Sequence, residues 1–180
     1  NMMKEKDKSN ETSHIGHIEY HRKENLFQFL SFPFTKMNPS IHLSSLLSFI
    51  LAFSTTLFII TFLLKIPHII TGHPELIQEY YFKNFSKNVP LDFFFVFVYF
   101  QIALFIIHQL HATSHFAKIS IHILVTVLLT GGFCIYFRYY PMTSSFFSRW
   151  FHIVGYRSVI YDVLLLVFTF LIYDYIQNLV

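Results

Sequence analysis

Apolar residues in this chain fall into four long blocks. Residues 43–64 form 22 consecutive positions without a charge. A helix rising 1.5 Å per residue needs about 20 residues to cross the roughly 30 Å of bilayer hydrocarbon. Comparable blocks cover about 91–110, 119–137 and 159–179. None alternates with the period of two that a barrel strand would show. Lipid admits only helices or closed barrels as spanning structures, so the blocks predict four transmembrane helices. The predicted fold class is therefore all-α: an integral membrane protein with four transmembrane helices in an antiparallel bundle and a polar N-terminal tail. Its connections, 65–90, 111–118 and 138–158, are too short for a further domain. The middle one makes helices two and three a tight hairpin.

Residues 1–42 read as that tail, partly disordered, with 43–180 as the membrane domain. The tail carries six Lys/Arg, five Asp/Glu and four His. Its "ENLFQFLSFPF" stretch has the aromatic crowding of an interfacial segment.

Composition points the same way. The chain is 54% hydrophobic and 13% charged, against about a quarter charged in soluble domains. Cys134 is the single cysteine, so no intrachain disulfide forms. A net charge of +3, spread along the chain, gives no basic patch for nucleic acid. The expected partners are the lipid bilayer and other membrane or capsid proteins. Near-membrane Lys/Arg number six beside the two longer loops and three on the other side, which places those loops on the cytoplasmic face. Counting the whole tail makes it six against seven.

Asp92 and Asp162 stand out because carboxylates are costly in hydrocarbon. With Pro90 at the first helical position and Ser158 as an N-cap, each falls in the first turn of its helix, at the positive end of the dipole. Such placement is worth about 0.3–1 kcal/mol. Arg138, Arg149 and Arg157 are the expected salt-bridge partners at the interface. The alternative is a proton or ion site, the usual role of an ionisable intramembrane residue.

Asp162, Thr169, Tyr173 and Gln177 form a polar stripe predicted to face the other helices. Ser44, Ser48, Ala52 and Thr56 form a small-residue face, and Gly131–Gly132 is a second predicted point of close approach. His108, His111, His115 and His122 share one helical face if the hairpin is read as continuous, a spacing that would suit haem or a metal. The hairpin must turn there, which makes His111 and His115 interfacial. His108 and Gln101 remain as an inward polar pair. No matched nucleophile and base, phosphate loop or metal-ligand motif is present, so no enzyme activity, cofactor or metal is expected.

The segment "SSFFSRWFHIVGYRSVIYDVLLL", with "NVPLDFFFVFVYFQIA" upstream, resembles small four-span membrane proteins of nucleocytoplasmic large DNA viruses. Pro90, Leu91, Asp92, Trp150, Gly155, Tyr156, Val159, Tyr161 and Asp162 carry the resemblance. It implies a structural or assembly role in a virion's internal membrane or a host endomembrane, with Arg149, Trp150, Gly155 and Arg157 along the interface. "HIVGYRSVIYD" also resembles a motif of the cytochrome b anchor subunits of succinate dehydrogenase, through Gly155, Arg157 and Asp162. That resemblance implies haem b in a mitochondrial inner membrane, with His108 or His152 as ligand and Arg157 facing quinone or propionate. His152 lies one residue too close to the glycine for that motif, and Ser158 stands where it has a second histidine.

Overall fold

The computed structural model describes residues 39–179. The expectations for residues 1–38, including the aromatic stretch, lie outside the described residues, and residues 39–42 of the predicted tail belong to the first helix. The described chain is helical. Helix α1 (Pro39–Leu57) runs into a π-helical turn (Phe58–Leu63), then α2 (Ile66–Thr71) and α3 (Pro74–Gln78), which continues as a second π turn (Glu79–Lys83). Three long helices and one short one complete it: α4 (Phe85–Gln109), α5 (His115–Tyr139), α6 (Phe146–Ile153) and α7 (Tyr156–Leu179).

Four helices are long and apolar enough to span a membrane: Leu43–Leu63, Phe85–Gln109, His115–Tyr139 and Tyr156–Leu179. The hydropathy pattern placed the last three starts too late. Each helix extends into polar residues beyond its apolar block, where backbone hydrogen bonding continues after the hydrophobic need has ended.

The α4–α5 hairpin is tight, as predicted. His111 takes a left-handed conformation (φ 51°), and Ser114 caps α5 by accepting from the Ala117 amide at 3.1 Å. α5 packs against both α4 and α7, α6 returns onto α5, and α2 lies against α7. Aromatic side chains fill the core. Phe49 of α1 meets Phe93, Phe97 and Phe100 of α4 at ring separations of 5.5, 5.3 and 5.0 Å.

The α7 polar stripe does face its neighbours: Tyr173 bonds Ser45 at 2.7 Å, and Gln177 donates to Ser48 at 2.8 Å. Ser48, Ala52 and Thr56 are buried as the small-residue pattern predicts. Gly131–Gly132 is not a contact point, because no atom lies within 4 Å of a Cβ at either position. The buried stripe of α5 runs instead through His122, Val125, Thr126, Thr130 and Cys134. β-Branched Thr can bond its own helix, as Thr126 does to the His122 carbonyl at 2.8 Å, and so can be buried without loss.

Candidate functional site

α4 and α7 begin at the end of the bundle where α5 finishes, and both aspartates lie there. α4 starts at Phe85 and contains Pro90, which makes Asp92 its eighth residue. Pro90 forgoes one helical hydrogen bond but sits close enough to the helix start for that to be tolerated. α7 starts at Tyr156, just after Gly155 (φ 59°), so Asp162 is its seventh residue. The Ser158 hydroxyl donates back to the Gly155 carbonyl at 2.6 Å, which is a bond within the first turn and no N-cap. Both acids therefore sit about two turns inside their helices, beyond the reach of a first-turn dipole effect.

The predicted arginine partners are engaged elsewhere. Arg149 forks onto Glu79 at 2.5 and 3.2 Å and so ties α6 to the second π turn. Arg157 donates to the Thr71 carbonyl at 3.1 Å and ties α7 to α2. Arg138 lies against the turn, its Nη1 3.2 Å from where a Gly155 Cβ would stand. Among the described residues, neither Asp92 nor Asp162 has a Lys or Arg within ion-pair distance.

Hydroxyl groups take the place of those cations. The Tyr80 phenol donates to Asp92 Oδ1, and Tyr81 donates to Asp92 Oδ2 at 3.4 Å. Tyr81 in turn bonds Tyr161 at 2.5 Å, and Tyr161 bonds Thr61 at 3.3 Å. Thr130 donates to Asp162 Oδ2 at 2.8 Å. The two tyrosines come from the second π turn, in which consecutive residues are both buried. That turn is pinned to α4 by Asn88, whose side-chain amide donates to the Tyr80 carbonyl at 3.3 Å. Burial, together with the neighbouring Asp92 charge, holds the Tyr80 phenol protonated well above the ordinary tyrosine range. Burial does the same for Tyr81, helped by the Tyr161 phenol and Asp92.

These groups surround a cavity of about 170 Å³ lined by Asp92, Asp162, Tyr80, Tyr81, Tyr99, Thr130 and Tyr161, with aromatic rings over most of the remaining wall. Trp150 is buried there. Its ring lies 5.8 Å from Tyr80 and 5.7 Å from Phe146, and Tyr80 and Phe146 are 4.9 Å apart. α6 thus folds back over the cavity as an aromatic cover. Its inward residues are Ser148, Trp150 and Phe151.

The histidines do not converge. His108 and His111 are exposed beside the hairpin, with rings 6.4 Å apart. His115 stands 3.5 Å from Asp174. His152 lies at the far end of α5, roughly 37 Å away at 1.5 Å per residue, its ring nitrogens against the Ser148 and Tyr140 carbonyls at 2.8 and 3.1 Å. His152 is thus separated from the other three by the length of α5. Gln101 is half-buried but His108 is exposed, so they form no inward pair. Among the described histidines His122 alone is fully buried, its ring 5.3 Å from Phe100 and 4.3 Å from Phe170. Among the described residues, no three His, Cys, Asp or Glu side chains gather as a metal site.

The fold and the site define an all-α, multi-pass integral membrane protein with an acid- and tyrosine-lined cavity inside its helical bundle. No family model, curated protein or solved structure matches the chain.

Proposed function

We propose that this protein binds a small cation in the cavity bounded by α4, α5, α6 and α7. The observation that supports this is the presentation of two carboxyl groups, from separate helices, to one largely aromatic cavity without a fixed positive charge. Moving a carboxylate out of water is expensive unless it is compensated. Tyr80, Tyr81 and Thr130 compensate in part. An ionised carboxylate has about four acceptor sites, and these three donors leave capacity directed at the cavity.

Melting temperatures in lipid nanodiscs test the reading against Na⁺, K⁺, Ca²⁺ and organic ammonium salts. At about 100 times its dissociation constant a bound cation stabilises by roughly 2.7 kcal/mol. The expected result is stabilisation by at least one cation in the wild type, lost in Asp92→Asn and in Asp162→Asn. No effect of any cation on the wild type would defeat it. Liposome flux, lost in Asp162→Asn, would mark the site as that of a carrier.

A structural or assembly role in a viral or endomembrane is a second reading. Tyr136, Tyr139, Tyr140, Met142 and Tyr156 are exposed around the 138–158 connection, and aromatic residues of this kind suit a membrane–water interface and neighbouring proteins. On that reading Gly155→Ala abolishes assembly, while Asp162→Asn leaves it intact.

A further inference from the structure

We infer that the cation held in this cavity is an organic ammonium ion carrying an apolar group. This rests on the cation-binding reading above and names its ligand class.

The wall chemistry separates the two kinds of cation. Hard metal ions such as Ca²⁺ require six to eight oxygen ligands in a close shell. Here the oxygens come from Asp92 with its tyrosines and from Asp162 with Thr130, and most of the other lining residues are aromatic. Ammonium groups have the opposite preference. They need one or two carboxylates for charge and ring faces at about 6 Å or less, which attract them through the ring quadrupole. Tyr80, Phe146 and Trp150 all line the cavity, and Tyr80 is hydrogen-bonded to Asp92. Phe146 already carries the Arg149 guanidinium 5.9 Å over its ring, which leaves Tyr80 and Trp150 of the three.

Size agrees. A protein cavity of about 150 Å³ admits benzene, so one of about 170 Å³ has room for a ring-sized group beside a charged head. The remaining aromatic wall, including Phe95 and Phe133 at 5.9 Å, would take that apolar part. Phe133 is also 39% exposed, so the cavity wall reaches the protein surface there, and a soluble amine and the ammonium head of a lipid are both candidate sources of this chemistry.

Trp150 is the single tryptophan of the chain and lines the cavity, so its fluorescence reports occupancy directly. The experiment titrates full-length protein in phosphatidylglycerol nanodiscs with phenethylammonium, choline, sphingosine, Na⁺ and Ca²⁺. Saturable change with phenethylammonium or choline, weakened at least tenfold in Asp162→Asn, supports a soluble ligand. A response to sphingosine alone, with the same loss in the variant, supports a lipid-borne one. Should Asp162→Asn fail to fold, competition between phenethylammonium and choline for one saturable signal in the wild type serves the same purpose. A response to Na⁺ or Ca²⁺ only would overturn the ammonium inference while sparing the cation site. Silence with every probe, together with an unchanged melting temperature, would overturn both.

Discussion

Asp92 takes two phenol donors from one turn of chain, and that arrangement sets the behaviour of several single residues. Tyr80→Phe removes a hydrogen bond to a buried carboxyl group and leaves its acceptor facing aromatic rings. Bonds of this kind are worth roughly 1.5–3 kcal/mol, so chemical unfolding in mixed micelles should show a loss of that size. Asp162→Asn should behave differently. The asparagine oxygen can still accept from Thr130, and a desolvated charge is gone, so stability should hold or rise while cation binding is lost. A fall of more than about 2 kcal/mol would mean that Asp162 is a packing residue.

The phenols also set a response to alkali. Their protonation persists to higher pH in the folded chain than in the unfolded one, whose tyrosines titrate near 10. Their contribution to stability is therefore complete below about pH 10 and declines as pH rises above it. Ultraviolet tyrosinate absorbance should show exposed tyrosines ionising first, with Tyr80 and Tyr81 appearing only as the protein unfolds. Early, complete ionisation of all 11 tyrosines in still-helical protein would contradict this burial.

At the scale of elements, the α6–α7 corner decides whether the cavity is covered. Gly155 turns the chain with a left-handed φ of 59°, and Arg138 packs where a side chain would stand. Gly155→Ala thus meets a left-handed penalty of about 1–2 kcal/mol and also displaces Arg138. Gly131→Ala is the informative contrast: it lies mid-helix with open space at its Cβ, and alanine there should stabilise by about 0.5–1 kcal/mol. Equal effects of the two changes on melting temperature would refute the distinction. Arg149→Gln removes the fork that ties α6 to the second π turn. Trp150 emission should shift to the red as the cover loosens, whereas an unshifted spectrum would show that the aromatic packing holds α6 alone.

At the scale of the whole molecule, a bundle of four membrane-spanning helices was readable from apolar block length, because hydrocarbon thickness fixes helix length so directly. The tight α4–α5 hairpin and the inward stripe on α7 were readable for the same reason. The site was readable only in half. Asp92 and Asp162 stood out because acids are rare in such blocks, but their helix starts were misplaced where polar residues such as "FSKNVP" remain helical. Their partners were missed. Tyr80 and Tyr81 lie in a connection, where the apolar-block pattern predicts no inward face. Tyr161 was marked only by the viral resemblance, and Thr130 looked like an ordinary constituent of an apolar span. Pairing each acid with the nearest arginine in sequence failed because Arg149 and Arg157 were already committed to Glu79 and to the Thr71 carbonyl. The adjacent tyrosines in "QEYYFKN" were the one available signal, and the exposed pair Tyr139–Tyr140 shows that such a pair does not by itself mark a site.

Infrared difference spectroscopy of nanodisc-embedded protein, with and without phenethylammonium, Na⁺ or Ca²⁺, tests the central claim most directly, because it reads the carboxyl groups themselves. We predict that at least one of these cations shifts carboxyl stretching bands, that Asp92→Asn and Asp162→Asn each remove part of the difference, and that the double variant removes it all. A wild-type spectrum unchanged by every cation, or an identical difference in the double variant, would contradict the account.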